Sequence, residues 1–165
     1  MGDPGQVAAE GGLISTVQHD LSAQHVLLVE DSPGDAKLTS DALRKANSRV
    51  RVHVSRDGSD AIAFLRNQGE HLNAPRPDLI LLDLNLPGIN GREVLSDIKE
   101  DESLKTIPTV ILTTSEANAD VVDSYIRKAN AYLTKPLRLD AFEDLIKSAN
   151  DFWLSQVRLP KRPRR

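Results

Sequence analysis

The stretch that decides the fold is "PDLILLDLNLPGINGREVL", residues 77 to 95. Its apolar run, residues 79–82, leads straight into an acid, Asp83, and the chain then turns through Pro87, Gly88 and Gly91. A continuous apolar run of this length is typical of a strand buried on both faces, as in a parallel sheet. The pattern therefore predicts a buried strand that presents one carboxylate at its end, followed by a tight loop.

Working outward, similar runs occur at "HVLLVED" (25–31) and "TVILTT" (109–114), with shorter candidates at "VRVHV" (50–54) and "AYLT" (131–134). Between them, apolar residues recur at helical spacings of three and four. These stripes are Leu38, Ala42, Ala46; Ala61, Ile62, Leu65; Val94, Leu95, Ile98; Val121, Val122, Tyr125, Ile126, Ala129; and Leu139, Phe142, Leu145, Ile146, Ala149, Phe152, Trp153. Five alternations of strand and helix predict an α/β fold, a doubly wound parallel sheet with right-handed crossovers.

The 165 residues and net charge of -3 fit one globular domain and point to neither a nucleic-acid nor a membrane partner. We expect a flexible leader at 1–23, an ordered domain at 24–150, and a helix extension with the basic tail "KRPRR" at 151–165. The chain has no cysteine, which excludes disulfides, thiolate zinc sites and cysteine nucleophiles and fits a cytoplasmic protein. The N-terminal segment lacks the pattern of a secretory signal or a membrane span.

Three acids close two of the predicted strands: Glu30 and Asp31 follow the first, and Asp83 follows the third. In an open parallel sheet, ligands bind at the carboxyl ends of the strands. If the strand order is 2-1-3-4-5, these strands are neighbours and the three carboxylates crowd one corner, where they repel unless a cation compensates. Mg²⁺ accepts a few carboxylates while keeping waters and phosphate oxygens, so we predict a magnesium site here. The alternative is that the acids are ordinary solvent-facing residues at the ends of strands and bind no ligand.

Thr113 and Lys135 close the fourth and fifth predicted strands at the same edge. A hydroxyl and an ammonium placed there can hold two oxygens of a phosphoryl group. Pro136 restricts the preceding residue to an extended conformation, which is expected to aim Lys135 inward. Taken singly, the two residues are explained as a capping threonine and a solvated lysine. Together with the acids they predict a nucleophile, a metal pocket, a hydroxyl donor and a fixed cation in one site.

The segments "LLVEDS", "LILLDLNLPGINGREVL", "VILTTSEA" and "AYLTKPL" resemble the signature segments of a response-regulator receiver domain, over roughly residues 25 to 150. The resemblance implies a flavodoxin-like five-stranded parallel sheet of order 2-1-3-4-5 with helices on both faces. The closing "FWLSQVRLP" further resembles the C-terminal extension of single-domain regulators that serve bacterial phytochrome kinases. A sensor histidine kinase, in particular a bacteriophytochrome, is therefore the expected partner.

By this resemblance, Asp83 is the phosphoacceptor that takes a phosphoryl group from a kinase phosphohistidine. Thr113 and Lys135 would contact the phosphoryl oxygens, and Tyr132 would rotate inward as a switch. The implied Mg²⁺ ligands are Glu30, Asp31, Asp83 and the backbone carbonyl of Asn85. The chain would catalyse only its own phosphorylation and dephosphorylation and would otherwise not be an enzyme. Tyr132 also has a plainer interpretation, as an ordinary half-exposed aromatic residue.

Output is expected through the receiver surface, because residues 151–165 are too few for a DNA-binding module. The candidate interface residues are Tyr125, Phe152, Trp153 and Leu154, since clustered large apolar side chains favour an interface. A symmetric homodimer through the fourth helix, fifth strand and fifth helix is the preferred form. The alternative is that Trp153 folds back onto its own core. The basic tail is expected to be solvated rather than bound to nucleic acid or an acidic partner.

Other classes of protein share parts of this sequence pattern. A haloacid-dehalogenase-type phosphatase would need a general acid where Asn85 stands, and it would need a late paired-acid motif that the sequence does not show. A pseudo-receiver that binds without phosphorylation, a phosphorelay intermediate feeding a histidine phosphotransfer protein, and a chemotaxis-type effector all share the fold. Thr114, where many receivers carry a smaller residue, is expected to narrow access to Asp83.

Overall fold

In a computed structural model of the chain, residues 23–160 are described. The predicted leader, apart from its last residue, and the tail "KRPRR" lie outside the described residues. The elements are β1 Gln24–Val29, α1 Pro33–Ala46, β2 Val50–Ser55, α2 Gly58–Leu65, β3 Leu79–Leu82, α3 Gly91–Glu100, β4 Thr109–Thr113, α4 Asn118–Ile126, β5 Ala131–Thr134 and α5 Leu139–Asn150. A 3₁₀ turn at Gly69–His71 precedes β3, and a π-helical turn at Asp151–Gln156 continues α5.

The five strands form one sheet of order β2-β1-β3-β4-β5, and every pairing is parallel. This confirms the predicted strand order and the alternation of strand and helix. Among the described residues, no helix is both long and apolar enough to cross a membrane.

Each strand at the centre of the sheet buries alternate side chains in two separate cores. Leu27 and Val29 of β1 lie under α2 and α3, whereas Val26 and Leu28 lie under α1 and α5. All four residues of β3 are buried, as the continuous apolar run predicted. Burying each such side chain stabilises the fold by about 1.5 to 3 kcal/mol, so the central strands form a rigid support for the residues that follow them.

Two of the helices that begin at the carboxyl edge of the sheet, α1 and α3, start with a polar side chain that caps the first turn. The Ser32 hydroxyl accepts a hydrogen bond from the Asp35 N–H (3.2 Å) at the start of α1. The Asn90 side chain accepts one from the Glu93 N–H (3.1 Å) at the start of α3. These caps satisfy N–H groups that have no partner inside the helix. They allow short turns between strand and helix at this edge.

Most of the predicted apolar stripe around α4 does not face the core, although its last member, Ala129, is buried just after the helix. Within this helix, all of whose residues are described, only Ser124 is buried, while Val122, Tyr125 and Ile126 are exposed. The helix is short and lies beside β5, an edge strand whose residues are themselves only half-buried. The buried position of this helix is therefore held by a small residue, Ser124, while Val122, Tyr125 and Ile126 face outward.

The chain after α5 packs onto its own domain, which corrects part of the predicted interface. Leu154 is only 4% exposed and lies in the core beneath α1 and α5, and Trp153 is half-buried against the same core. The Val157 N–H donates to the Phe152 carbonyl (2.9 Å), a wider helical turn that brings Leu154 round to the core. The prediction that Leu154 forms an interface is wrong, and Trp153 takes the fold-back alternative. Phe152 stays exposed.

Candidate functional site

The register of the sheet brings the predicted acids together. Val29 of β1 pairs with Leu82 of β3, so Glu30 and Asp83 leave the sheet side by side. One carboxylate oxygen each from Glu30, Asp31 and Asp83 lies within 4.8 Å of the others. Glu30 and Asp83 are buried, and Asp31 is exposed. An all-oxygen group of this kind suits a hard divalent cation.

Lys135 contacts two of these acids, Glu30 and Asp83, and is almost fully buried. Its ammonium donates to Asp83 Oδ2 at 3.0 Å and makes a short contact with Glu30 Oε2. A third carboxylate, Asp35 Oδ2 in the first turn of α1, also accepts at 3.0 Å. Sequence reasoning missed Asp35, although an acid in the first turn of a helix that starts at this edge was a usable signal. The three N–H donors of the lysine therefore match three carboxylates.

Burial and the neighbouring charges act in opposite directions on the pKa of Glu30 and on the pKa of Lys135. Burial raises the pKa of Glu30 to about 7, although the hydrogen bond and charge of Lys135 act in the opposite direction. Burial also acts to lower the pKa of Lys135, but its bond to Glu30 and the charge of Asp83 outweigh burial and raise that pKa. Lys135 is thus a fixed cation among more carboxylates than it can neutralise, which favours the binding of a further cation.

The loop after β3 holds the Asp83 side chain in place. The Asn85 N–H donates to Asp83 Oδ1 (3.0 Å), and the Asn85 side-chain amide donates to Thr113 Oγ1 (3.4 Å). Gly88 has a φ of +70°, a conformation that favours glycine. Gly91 lies so close to the strand end that a Cβ there would be 2.2 Å from the Asp83 carbonyl oxygen. Gly88 thus permits the turn, and Gly91 permits the close approach of the start of α3 to the end of β3.

Thr113 and Tyr132 lie behind the acids, on neighbouring strands. Thr113 is fully buried at the end of β4, and its carbonyl accepts from the Lys135 N–H (2.7 Å). The Tyr132 ring already packs against the core under α2 and α3, and its hydroxyl donates to the Ser115 carbonyl (2.8 Å). The predicted inward rotation would therefore start from a ring that already contacts this core.

A polar network that the sequence did not predict fixes the loop between β4 and α4. The Ser115 hydroxyl and the Arg92 guanidinium both bond the carboxylate of Asp120. Arg92 belongs to α3 and Asp120 to α4, so the network joins two helices to the loop that Tyr132 contacts. Such a match of side-chain positions depends on how the helices pack and leaves no pattern in the sequence.

A groove of about 230 Å³ opens beside the site, between α1 and the start of α5. Asp35, Thr114 and Lys135 are among the residues that line it. Thr114 is exposed to solvent at the groove wall. Its side chain therefore stands beside Lys135 in a groove whose lining does not include Asp83, so the expectation that Thr114 narrows access to Asp83 stays a prediction.

Comparison with known proteins identifies a family and close relatives. The family model for the response regulator receiver domain matches residues 26–147. The response regulator Rcp1 of Synechocystis sp. is 47% identical over 135 residues, which cover 82% of this chain and 92% of that protein.

Two solved structures are similar along most of their length. The crystal structure of the phosphorylated cyanobacterial phytochrome response regulator RcpA gives a TM-score of 0.82 with 45% identity, covering 84% of this chain and 99% of that one. The Mn²⁺-bound form of Rcp1 gives a TM-score of 0.80 with 46% identity and the same coverage of 84% and 99%.

Proposed function

The chain belongs to the response-regulator receiver family, and we propose that it accepts a phosphoryl group from a sensor histidine kinase on Asp83. The observation that carries the proposal is a buried carboxylate 3.0 Å from a buried lysine, inside a group of acids suited to a divalent cation. A carboxylate oxygen of Asp83 would attack phosphorus and form a P–O bond. The P–N bond of the phosphohistidine would break, and its electron pair would return to the imidazole nitrogen.

The residues around Asp83 are placed to stabilise the charge that develops during transfer. The Lys135 N–H that now bonds Asp83 Oδ2 would turn to a phosphoryl oxygen, and the Thr113 hydroxyl would donate to another. The Thr113 oxygen accepts from Asn85 in this structure, which leaves its own hydrogen available as a donor. Positioning and electrostatics of this kind supply most of the rate in phosphoryl transfer.

We propose that Mg²⁺ is the cofactor. Glu30, Asp31, Asp83 and the backbone carbonyl of Asn85 would hold the ion, which would offset negative charge on the transferring group. The excess of carboxylates over cations at this corner supports a metal, and the relative Rcp1 is described in a Mn²⁺-bound form.

The proposed donor is a bacterial phytochrome kinase, because the similar solved structures include a phytochrome response regulator. A phosphorelay intermediate that passes the group on to a histidine phosphotransfer protein is the second candidate, since the same site can also release the phosphoryl group. A non-phosphorylated pseudo-receiver fits less well, because the acids, the threonine and the lysine are all present at the same edge. We propose a cytoplasmic location, in keeping with a chain that has no cysteine.

We propose that the signal leaves through the α4, β5 and α5 face as a homodimer. Exposed Val122, Tyr125 and Ile126 on α4 supply apolar surface for it. Ile126→Arg should therefore lower the dimer fraction in sedimentation experiments on the phosphorylated protein. Leu72→Arg, at an equally exposed position before β3, is the matched control and should leave the dimer fraction unchanged. An unchanged dimer fraction in Ile126→Arg would place the interface elsewhere.

The experiment that tests the function is phosphotransfer from an autophosphorylated phytochrome-type histidine kinase. Label should move to the wild-type chain and fail to move to Asp83→Asn. Transfer to Asp83→Asn would rule out Asp83 as the acceptor. If the wild type takes label from a small phosphodonor but not from this kinase, only the proposed partner is wrong.

A further inference from the structure

The third partner of Lys135 belongs to none of the roles described so far. Asp35 lies on α1, outside the group of Glu30, Asp31 and Asp83 whose oxygens come together. Its carboxylate is 40% exposed, whereas the other two partners of Lys135 are buried. Asp35 therefore reaches the buried ammonium from the solvent side.

The backbone fixes Asp35 in this position. Its N–H is capped by the Ser32 hydroxyl (3.2 Å), and its carbonyl accepts from the Thr39 hydroxyl (2.8 Å). Asp35 Oδ2 and Asp83 Oδ2 each lie 3.0 Å from the same Lys135 nitrogen, so this ammonium group bridges the two carboxylates. At such a distance, in a partly buried site, two negative charges interact appreciably.

Asp35 also faces the open groove beside the site. The groove of about 230 Å³ is lined by Asp35, Lys135 and Thr114. Lys135 itself is almost fully buried, so Asp35 is the exposed carboxylate at the wall of this groove that contacts the lysine. A negatively charged donor that uses this approach would meet the Asp35 carboxylate near the site.

We propose that Asp35 is a positioning residue that shares the charge of Lys135 with Asp83 and slows phosphoryl transfer from small, strongly anionic donors. The inference rests on the proposed phosphoacceptor role of Asp83. In the reaction with acetyl phosphate, an Asp83 oxygen forms a bond to phosphorus, the bond from phosphorus to the acetyl oxygen breaks, and acetate leaves with the electron pair. Asp35 takes part in no bond change and acts through Lys135 and through its own charge.

Removing the charge of Asp35 has two opposing effects. The positive charge of Lys135 is then less neutralised and attracts the incoming phosphoryl group more strongly. The lysine also loses the charge of one of its three hydrogen-bond partners. Lys135 keeps Glu30 and Asp83 as buried partners, and an asparagine oxygen at position 35 can still accept a hydrogen bond. The stronger attraction of Lys135 for the phosphoryl group therefore outweighs the weaker positioning of the lysine side chain, and phosphoryl transfer accelerates.

The test compares initial phosphorylation rates at saturating Mg²⁺ for wild type, Asp35→Asn, Asp35→Glu and Asp41→Asn. With acetyl phosphate, Asp35→Asn should react roughly fivefold faster than wild type. Asp35→Glu keeps the charge and should stay close to wild type. Asp41 is an exposed acid on the same helix, paired with Lys37 and away from the site, so Asp41→Asn controls for a general change in charge.

Two further readouts separate electrostatic action from a structural role. The acceleration in Asp35→Asn should shrink as salt is added, because salt screens charges that are partly exposed. It should also be smaller with phosphoramidate, a less negatively charged donor than acetyl phosphate. If Asp35 serves only as a favourable acid at the start of α1, its loss would lower the free energy of unfolding. The phosphorylation rate of Asp35→Asn would then equal that of wild type with both donors and at every salt concentration.

A rate in Asp35→Asn that equals or falls below that of wild type would overturn the inference, as would an acceleration independent of donor and salt. These outcomes leave the proposed function intact, because the wild type is labelled in each of them. If no variant, including wild type, is labelled by either donor, the phosphoacceptor role fails, and the inference fails with it.

Discussion

Glu30 shows how burial sets the chemistry of a single residue. It is only 2% exposed, and burial raises its pKa from an ordinary 4.5 to about 7 despite the contact with Lys135. Near neutral pH the metal-free protein therefore holds this carboxyl partly protonated. Binding of a divalent cation at this corner would compete with that proton.

A stability prediction follows for the metal-free protein. Between pH 4.5 and about 7 the folded state keeps a proton on Glu30 that the unfolded state has lost. The contribution of this proton to the free energy of unfolding is full below pH 4.5 and is lost as the pH rises through 7. Relative to Glu30→Gln, wild type should thus lose up to about 3 kcal/mol between pH 5 and pH 8 in urea unfolding with a chelator present. A difference that stays constant with pH would contradict the raised pKa.

The sequence allowed the principal site residues to be predicted because each directly follows a strand. Parallel strands bring their carboxyl ends to one edge, so Glu30, Asp83 and Lys135 had to lie near one another once the strand order was known. For Asp35 the sequence offered only its place in the first turn of α1, which does not specify its contact with Lys135, and for the Ser115–Asp120 contact it offered no signal. Both contacts depend on how far each helix reaches over the sheet, which the apolar pattern does not specify.

Among the elements, the turn from β3 into α3 is the most constrained. A Cβ on Gly91 would lie 2.2 Å from the Asp83 carbonyl oxygen and 2.5 Å from Leu84 Cα. These are backbone atoms of a buried segment, so they have little room to yield. The conformation of this turn and the position of Asp83 are therefore coupled.

Gly91→Ala should lower the free energy of unfolding by roughly 2 to 3 kcal/mol through overpacking. By displacing Asp83 it should also slow phosphorylation by about tenfold or more. Gly34→Ala is the matched control, because Gly34 also lies in the first turn of a helix but a Cβ there would meet only Ser32 Oγ, at 3.9 Å. That variant should change stability by less than about 1 kcal/mol. Equal effects in urea unfolding of the two variants would contradict the close approach at Gly91.

Element order and type were predictable from periodicity, whereas the facing of some helices was not. The stripe in α5 does bury Phe142, Ile146 and Ala149. The equally regular stripe in α4 leaves Tyr125 and Ile126 in solvent. Periodicity shows which residues share a face of a helix, but only packing decides whether that face meets the sheet.

At the scale of the whole molecule, the segment after α5 is part of the folded domain. Leu154 fills the core under α1 and α5, and its carbonyl accepts a hydrogen bond from the Gln24 side chain on β1 (2.7 Å). The extension therefore ties the end of the described chain to the first strand, and its apolar residues are only partly available to a partner.

Leu154→Ala should accordingly lower the free energy of unfolding by about 3 kcal/mol, as expected for a large-to-small change in a core. Leu137→Ala should have almost no effect, because Leu137 is fully exposed, at 101%. Chemical denaturation of both variants checks the difference. A Leu154→Ala protein as stable as wild type would mean that the extension does not pack on the domain in solution.

The measurement that tests the central claim most directly is intact mass after incubation with acetyl phosphate, with and without Mg²⁺, for wild type and Asp83→Asn. The arrangement of Asp83, Lys135 and the neighbouring acids predicts a gain of one phosphoryl group in wild type that requires Mg²⁺ and is absent in the variant. An equal gain in Asp83→Asn, or no gain in wild type with either acetyl phosphate or a histidine kinase as donor, would contradict Asp83 as the phosphoacceptor.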